Sequence, residues 1–454
     1  MDGIINASSD ILGILGKPKL SDEKLRLMKY CVSVRTGEGV LLFNTLTREM
    51  VLLTFEEYEA AFSSDYLREH WFTVPETTNE KELAELVRWV QMSVRKKPEH
   101  VVNYTIFTTT DCNARCFYCY EHGCSRVSMT METADNIVAY IKENCGGEKA
   151  SITWFGGEPL MNYPVIDRIC EGLRREGVEF KSNMISNAYL FSDELAERAA
   201  ESWNLKKIQI TLDGTEEVYN RSKAYIYSDG SAYQVVNGNI QRLLNAGVYV
   251  VIRLNMDLNN ADDLMELVNE LATRFEGQKR LRIYVSLLFD IEKKADERYT
   301  PEEWARLYTA LGRLEEVLMT RGLIPDGNIR LNRELPVNHC MADDGRSVII
   351  APDGHLGLCE HYPDREFFGH IDSPERDEEM INSWRKRCDP ISECDDCFRY
   401  PECVVLKKCS GRMECSRHEL NARRRRTEQS MLNEYRIWRE KMRHENGEQT
   451  EKPL

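Results

Sequence analysis

Apolar residues recur along the chain with two different periods. Residues 29–35 (KYCVSVR), 40–44 (VLLFN) and 50–54 (MVLLT) read as short strands joined by turns containing glycine and asparagine. The stretches Phe55 to Phe62 and Glu80 to Arg95 place apolar side chains three and four apart, as on one helix face. Three strands with about three short helices predict a small winged-helix-like domain over residues 1–97. RKKPEH (95–100), with Pro98 among charges, reads as a linker.

From residue 103 the periods alternate regularly. Strand-like runs cover 104–109, 150–154, 179–186, 207–212, 249–255 and 281–288, and helix-like runs cover 130–144, 163–176, 192–202, 232–246 and 261–275. Six strands alternating with helices predict an α/β fold over 103–300, with a parallel sheet, right-handed crossovers and a full or partial barrel. Sites in such sheets lie at the C-terminal ends of the strands. One amphipathic helix is predicted from Pro301 to Arg321, within a bridging region 301–338. Periodicity then fades into a cysteine-rich region, 339–420. The charged segment 421–454, with arginines at 423–426, predicts a helix with a frayed end and a solvated face.

At 454 residues, 42% of them hydrophobic, the chain is long enough for two to four domains that bury cores without covalent staples. No apolar run approaches the roughly 18–20 residues of a membrane helix, and the N-terminus lacks a basic-then-apolar signal. The expectation is a cytoplasmic protein with no membrane partner. Lys+Arg 60 against Asp+Glu 75 gives a net charge of −15, which argues against a nucleic-acid partner. A basic peptide partner stays open.

The 15 cysteines change the picture most. Disulfides are improbable in a reducing compartment. Four cysteines fall at 112–124 and eight at 340–415, and Cys31, Cys145 and Cys170, elsewhere, read as ordinary buried thiols. Short-range clustering is what metal or iron–sulfur ligation needs. Directly after the first strand of the alternating region, Cys112, Cys116 and Cys119 have C-x3-C-x2-C spacing. Three thiolates on one loop suit a cubane that keeps one iron open. A zinc site prefers four ligands in paired C-x2-C units.

This loop resembles the signature of radical S-adenosylmethionine (SAM) enzymes, and the resemblance covers roughly residues 103–290. It implies a partial (βα)6 barrel whose 4Fe–4S cluster binds SAM through its open iron. One electron then cleaves SAM to methionine and a 5′-deoxyadenosyl radical that abstracts a substrate hydrogen. Gly156-Gly157-Glu158-Pro159, 37 residues after Cys119, matches the GGEP motif that receives the methionine ammonium. Glycines admit close backbone approach, and a carboxylate accepts a charge-assisted bond. Ser186-Asn187 stands where the family has a Thr/Ser-Asn pair near the ribose and carboxylate, although Ala188 replaces the common glycine. Asp213-Gly214, followed by Arg221, resembles the DG…R segment near the active site. By the same resemblance Arg253 and Asn255 lie on the SAM side, and Tyr118 lies beside the adenine.

Downstream, Cys340-x13-Gly354-x4-Cys359 precedes Cys394-x2-Cys397-x5-Cys403-x5-Cys409-x5-Cys415. This resembles the SPASM extension of radical SAM enzymes, with x5 before Cys409 where the family has x3. The resemblance implies two auxiliary 4Fe–4S clusters, hence three in all. Cys340, Cys359 and Cys409 would hold the nearer one, and Cys394, Cys397, Cys403 and Cys415 the outer one. The nearer cluster's fourth ligand is open among Cys124, Cys388 and a substrate atom, with Cys124 ranked first. Glu360, directly after Cys359, matches a position where related sulfatase-maturing enzymes place a proton-accepting Asp, and is the candidate base. His339 and His361 flank cluster cysteines as neighbours rather than ligands.

The whole pattern resembles maturases of ribosomally made peptides. The N-terminal domain would bind the leader of a precursor peptide by strand addition at the free edge of its third strand. Leader capture would raise the effective concentration of the core peptide, which would acquire a carbon–carbon or thioether crosslink. A flavodoxin or ferredoxin-type protein would supply electrons. Two alternatives stand beside this reading: a sulfatase-maturing, formylglycine-generating enzyme, whose cysteine loop usually starts nearer the N-terminus, and a non-catalytic iron–sulfur-sensing DNA-binding regulator.

Overall fold

In a computed structural model, the structure describes residues 4–6, 9–18, 23–95, 98–227, 230–288, 299–324, 330–361, 366–409 and 417–445. Three sheets organise them. The first contains β1 (Ile4–Asn6), β3 (Cys31–Arg35), β4 (Val40–Asn44) and β5 (Met50–Leu53) in the order β1-β5-β4-β3. A two-stranded sheet pairs β2 (Leu25–Leu27) with β6 (Thr73–Pro75). Helix Glu80–Val94 follows, with the Asn79 side chain accepting from Glu82 N at its start.

Two expectations for this region change. The third predicted strand, β5, has no free edge, because β1 pairs with it antiparallel, Ile4 opposite Val51 and Asn6 opposite Met50. Three residues are too few to declare a strand by period, so β1 was invisible in the sequence. The helix Arg417–Glu445 is not simply solvated. Met431 and Tyr435 on it pack into a cluster with Val32, Leu41 and Phe43 of the first sheet. In the arginine run, Arg426 pairs with Glu315 at 2.8 Å and Arg424 stacks 4.9 Å above the Phe398 ring.

The central sheet is α/β, as expected. Strands β7 (Asn103–Thr109), β8 (Ala150–Gly156), β9 (Phe180–Ser186), β10 (Leu205–Leu212), β11 (Tyr249–Met256) and β12 (Leu281–Leu287) pair parallel in sequence order. Connecting helices include Met131–Asn144, Tyr163–Arg175, Asp193–Glu201, Ala232–Asn245 and Ala261–Arg274. Their starts follow from capping: Thr130, Ser192 and Ser231 each accept from the backbone N–H three residues on. Between sheet and helices lies one large apolar core that buries Trp154, Trp203, Ile208 and Ile252 completely. Helix Pro301–Thr320 begins with a Thr300–Glu303 capping box and Pro301 in its first turn.

Beyond that helix the sequence promised no strands, yet three continue the sheet past β7. They are β13 (Ser347–Ile350), parallel to β7, then β14 (His355–Gly357) and β15 (Gly369–His370). Each has four residues or fewer, too short for periodicity to declare it. Gly354, at φ +93°, turns β13 into β14. The turn brings Cys359, just past β14, back along the edge of the barrel sheet. Among the described residues no helix is long and apolar enough to cross a membrane.

Candidate active site

The site is built where β7, β8, β9 and β10 end. Gly156 has φ +113°, and a Cβ there would meet Thr109 O at 2.1 Å. A Cβ on Gly157 would meet Asp111 O at 2.2 Å. The two glycines therefore let the end of β8 close on the start of the cysteine loop. Gly157 N donates to Thr109 O (3.0 Å) and Glu158 N to Asp111 O (2.9 Å).

That closure buries Glu158 completely. Its carboxyl accepts from Ser186 Oγ (2.8 Å), Asn187 N (2.8 Å) and Leu160 N (3.1 Å). Burial pushes it up to about 7 against the lowering pull of those bonds. Asn187 Nδ2 in turn donates to Asn113 Oδ1 within the cysteine loop (2.7 Å). Ala188, at φ +60°, takes the left-handed conformation that a glycine would adopt without strain. Glu158, Ser186 and Asn187 thus meet the loop of Cys112, Cys116 and Cys119.

A second cluster lies on the other side of the loop. Tyr118 OH donates to Asp213 Oδ2 (2.6 Å), and Lys223 Nζ lies 2.7 Å from Tyr118 OH and 3.0 Å from Asp213 Oδ2. Burial alone would lower Lys223, but Asp213 and Tyr118 overcome it and hold the ammonium well above its ordinary value. Asp213 Oδ1 is buried without a hydrogen-bond partner among the described residues. The backbone ties the same segment to the loop: Arg115 N donates to Lys223 O (2.8 Å), and Ile226 N to Asn113 O (2.9 Å).

Arg221 is the exception among the expected residues. Its side chain is 69% exposed and faces Glu217, 3.5 Å away. The helix Glu216–Lys223 turns it outward, and Lys223, two residues on, is the basic group brought inward. Arg253 lies across the sheet, where it donates to Asn255 Oδ1 (2.8 Å) and Ser286 Oγ (3.0 Å).

Burial pushes Cys112 up to about 12 and Cys119 to about 11, so these thiols are protonated until a positive centre takes them as thiolates. No described cysteine is in a disulfide. Among the described residues no three His, Cys, Asp or Glu side chains converge as the ligands of a single ion would. The loop's thiols are instead spread along one loop, near enough for Cys116 and Cys119 to act electrostatically on Cys112.

Downstream, Cys340, Cys359 and Cys409 form a neighbourhood. Cys359 is pushed up to about 12, first by burial, then by Glu360, with Cys340 and Cys409 adding to it. His339 Nε2 lies 3.4 Å from Cys409 Sγ, and Asp343 accepts the His339 and Cys340 N–H groups at 3.0 Å each. Tyr120, next to Cys119, packs against His361 with ring centroids 4.8 Å apart and the rings tilted by 55°, and feels the charge of both Glu360 and Cys359. Glu360 thus acts electrostatically on both Cys359 and Tyr120. Cys394 and Cys403 neighbour Cys397, which burial raises, while Cys415 lies outside the described residues. Cys124 is half-buried with its N–H on Glu121 O (3.1 Å), and Cys388 N donates to Val405 O (2.9 Å).

Sequence reasoning missed Lys223, Asn113 and Tyr120. The signal for Lys223 was helical phase: once Asp213 faces the loop, only one of positions 221 and 223 can face it too.

Residues 106–271 match the family model of the Radical SAM superfamily. Those residues, which hold most of the barrel, are a radical SAM domain. An uncharacterised protein of Methanocaldococcus jannaschii is 30% identical over 110 residues, 24% of this chain, which spans 37% of that relative's length. The radical SAM cyclopropyl synthase TigE of Paramaledivibacter caminithermalis is 25% identical over 381 residues, 81% of this chain and 76% of TigE. Among solved structures, anSMEcpe with bound AdoMet and a Kp18Cys peptide superposes with TM-score 0.57 at 16% identity, covering 74% of this chain and 99% of that one. Streptococcus suis SuiB bound to the precursor peptide SuiA gives TM-score 0.52 at 13% identity, covering 86% and 99%. These likenesses show a shared fold.

Proposed function

We propose that this chain is a radical SAM maturase that installs a carbon–carbon or thioether crosslink in a ribosomally made precursor peptide. The observation that carries the reading is the convergence of Glu158, Ser186 and Asn187 on the cysteine loop of a radical SAM domain that follows an N-terminal sheet. TigE, a cyclopropyl synthase, and SuiB, solved with its precursor peptide, support a peptide as substrate.

When bound at Cys112, Cys116 and Cys119, the cluster and SAM together would supply the 5′-deoxyadenosyl radical that removes a substrate hydrogen atom. Glu158 would accept the methionine ammonium, whose charge compensates the carboxylate that burial disfavours. Ser186 and Asn187 hold that carboxylate in one orientation. Tyr118, fixed by Asp213 and Lys223, would form the wall beside the adenine and exclude water. Of the two hydrogens a crosslinked peptide loses, one leaves as an atom and the other as a proton. Glu360 would accept that proton. The remaining electron would pass to the auxiliary region at Cys340, Cys359 and Cys409, and a flavodoxin or ferredoxin would prime each cycle.

The test is co-expression with the small peptide encoded beside the gene, followed by tandem mass spectrometry. A loss of two hydrogens within one linked residue pair is the expected result. Zinc in place of iron in the anaerobically purified protein, formylglycine formed on a Cys or Ser substrate, or a mass-neutral change with deuterium uptake would overturn it.

A further inference from the structure

The loop that carries Cys394, Cys397 and Cys403 is gripped by the N-terminal region. Arg88, on helix Glu80–Val94 and 14% exposed, directs Nη2 at three main-chain carbonyls of this loop: Tyr400 (2.9 Å), Pro401 (3.4 Å) and Cys403 (3.0 Å). The Tyr400 hydroxyl returns to the same helix and donates to Glu85 (2.5 Å). Lys81 pairs with Asp395, between the first two cysteines, at 2.7 Å. Tyr400, Cys394 and Cys397 pack into the apolar cluster of Met28, Tyr30 and Val87. The loop is therefore part of the N-terminal core and of the outer cysteine site at once.

The three carbonyls meet Arg88 Nη2 together only when the loop holds one shape. If the loop relaxes, the largely buried guanidinium keeps Glu85 on its own helix but loses all three carbonyls. Holding the thiolates of Cys394, Cys397 and Cys403 on a cluster selects a single loop shape as well. Two events that select the same shape stabilise each other, and the coupling is reciprocal. We propose that the outer cysteine site is the lock that seats the N-terminal region: metal occupancy at Cys394, Cys397 and Cys403 and docking of helix Glu80–Val94 are one coupled equilibrium, transmitted by Arg88. The inference rests on reading those cysteines as metal ligands. It assigns the outer site a structural duty, whatever electrons it also carries.

The test uses the full-length, iron-loaded protein and reads hydrogen–deuterium exchange in helix Glu80–Val94. Joint replacement Cys394→Ser, Cys397→Ser and Cys403→Ser should speed exchange there by about tenfold or more. Replacement of Cys112, Cys116 and Cys119 by Ala should leave that helix protected. The reverse direction uses this last background, which keeps only auxiliary iron. In it Arg88→Met should speed iron loss to a chelator by about tenfold, and Arg88→Lys should restore part of the retention. Full helix protection after outer iron is lost, or unchanged iron loss in Arg88→Met, overturns the coupling. Unchanged iron content after the three Ser replacements overturns the ligand reading, and the coupling with it.

Discussion

Lys223 and Arg221 sit two residues apart on one short helix, roughly 200° apart around its axis. Only one can face the cysteine loop. Lys223 does, and its removal leaves the Asp213 carboxylate buried with its charge uncompensated. Lys223→Met should therefore destabilise the protein by about 3–5 kcal/mol in urea unfolding, and Arg221→Ala by less than about 0.5 kcal/mol. Equal effects of the two would show that the buried pair does not anchor the loop. Glu158 makes a second prediction through pH. Its folded carboxyl, raised to about 7, binds a proton more tightly than the same group in the unfolded chain. The stability this contributes is present below the ordinary Glu value and disappears as pH rises through 7. Across that window the ligand-free wild type should lose on the order of 3 kcal/mol relative to Glu158→Gln. Thermal unfolding of both proteins from pH 4.5 to 8 measures it, and parallel curves would refute the burial argument. Added SAM should narrow the gap in the wild type alone, by supplying the ammonium.

At the scale of elements, the site depends on how closely two strands end together. Because β8 closes on the loop after β7 through Gly156, a methyl group there would have to displace the main chain of Thr109. Gly156→Ala should cost several kcal/mol and abolish SAM binding measured calorimetrically, since its φ of +113° is also strained for any side chain. Ala at position 177 or 277, where φ is also positive but space is open, should cost only about 1–2 kcal/mol. The barrel strands were legible in the sequence because each has seven or eight residues and alternates with an amphipathic helix. The strands β13, β14 and β15 were not, since β13 takes its place from the edge of β7, and β14 and β15 each from the strand before it, rather than from their own patterns. β1 is a similar case, visible only through its partner β5.

For the whole molecule, the chain holds its cysteines in regions that the fold brings together from far apart in sequence. Anaerobic reconstitution should give about twelve irons per chain if three four-iron clusters form, and about eight after Ala replacement of Cys112, Cys116 and Cys119. That variant should lose SAM cleavage entirely, measured as 5′-deoxyadenosine. Retained cleavage would move the reactive site elsewhere. The helix Arg417–Glu445 closes the molecule by packing across the first sheet while its arginines reach helix Pro301–Thr320. N-terminal and cysteine-rich regions are joined through that helix and also directly, by Arg88, by Lys81 with Asp395 and by Arg48 with Glu402.

The sequence by itself determined the alternating α/β frame, the C-x3-C-x2-C loop and the GGEP turn. All three are local: period, spacing and glycine placement are properties of neighbouring residues. Only the tertiary structure decided which basic residue faces Asp213, which edge of the N-terminal sheet is taken, and that the outer cysteine loop belongs to the N-terminal core as well. Those outcomes depend on burial and on partners tens or hundreds of residues away. No local pattern reports which of two nearby charges is desolvated or what a loop's carbonyls will meet.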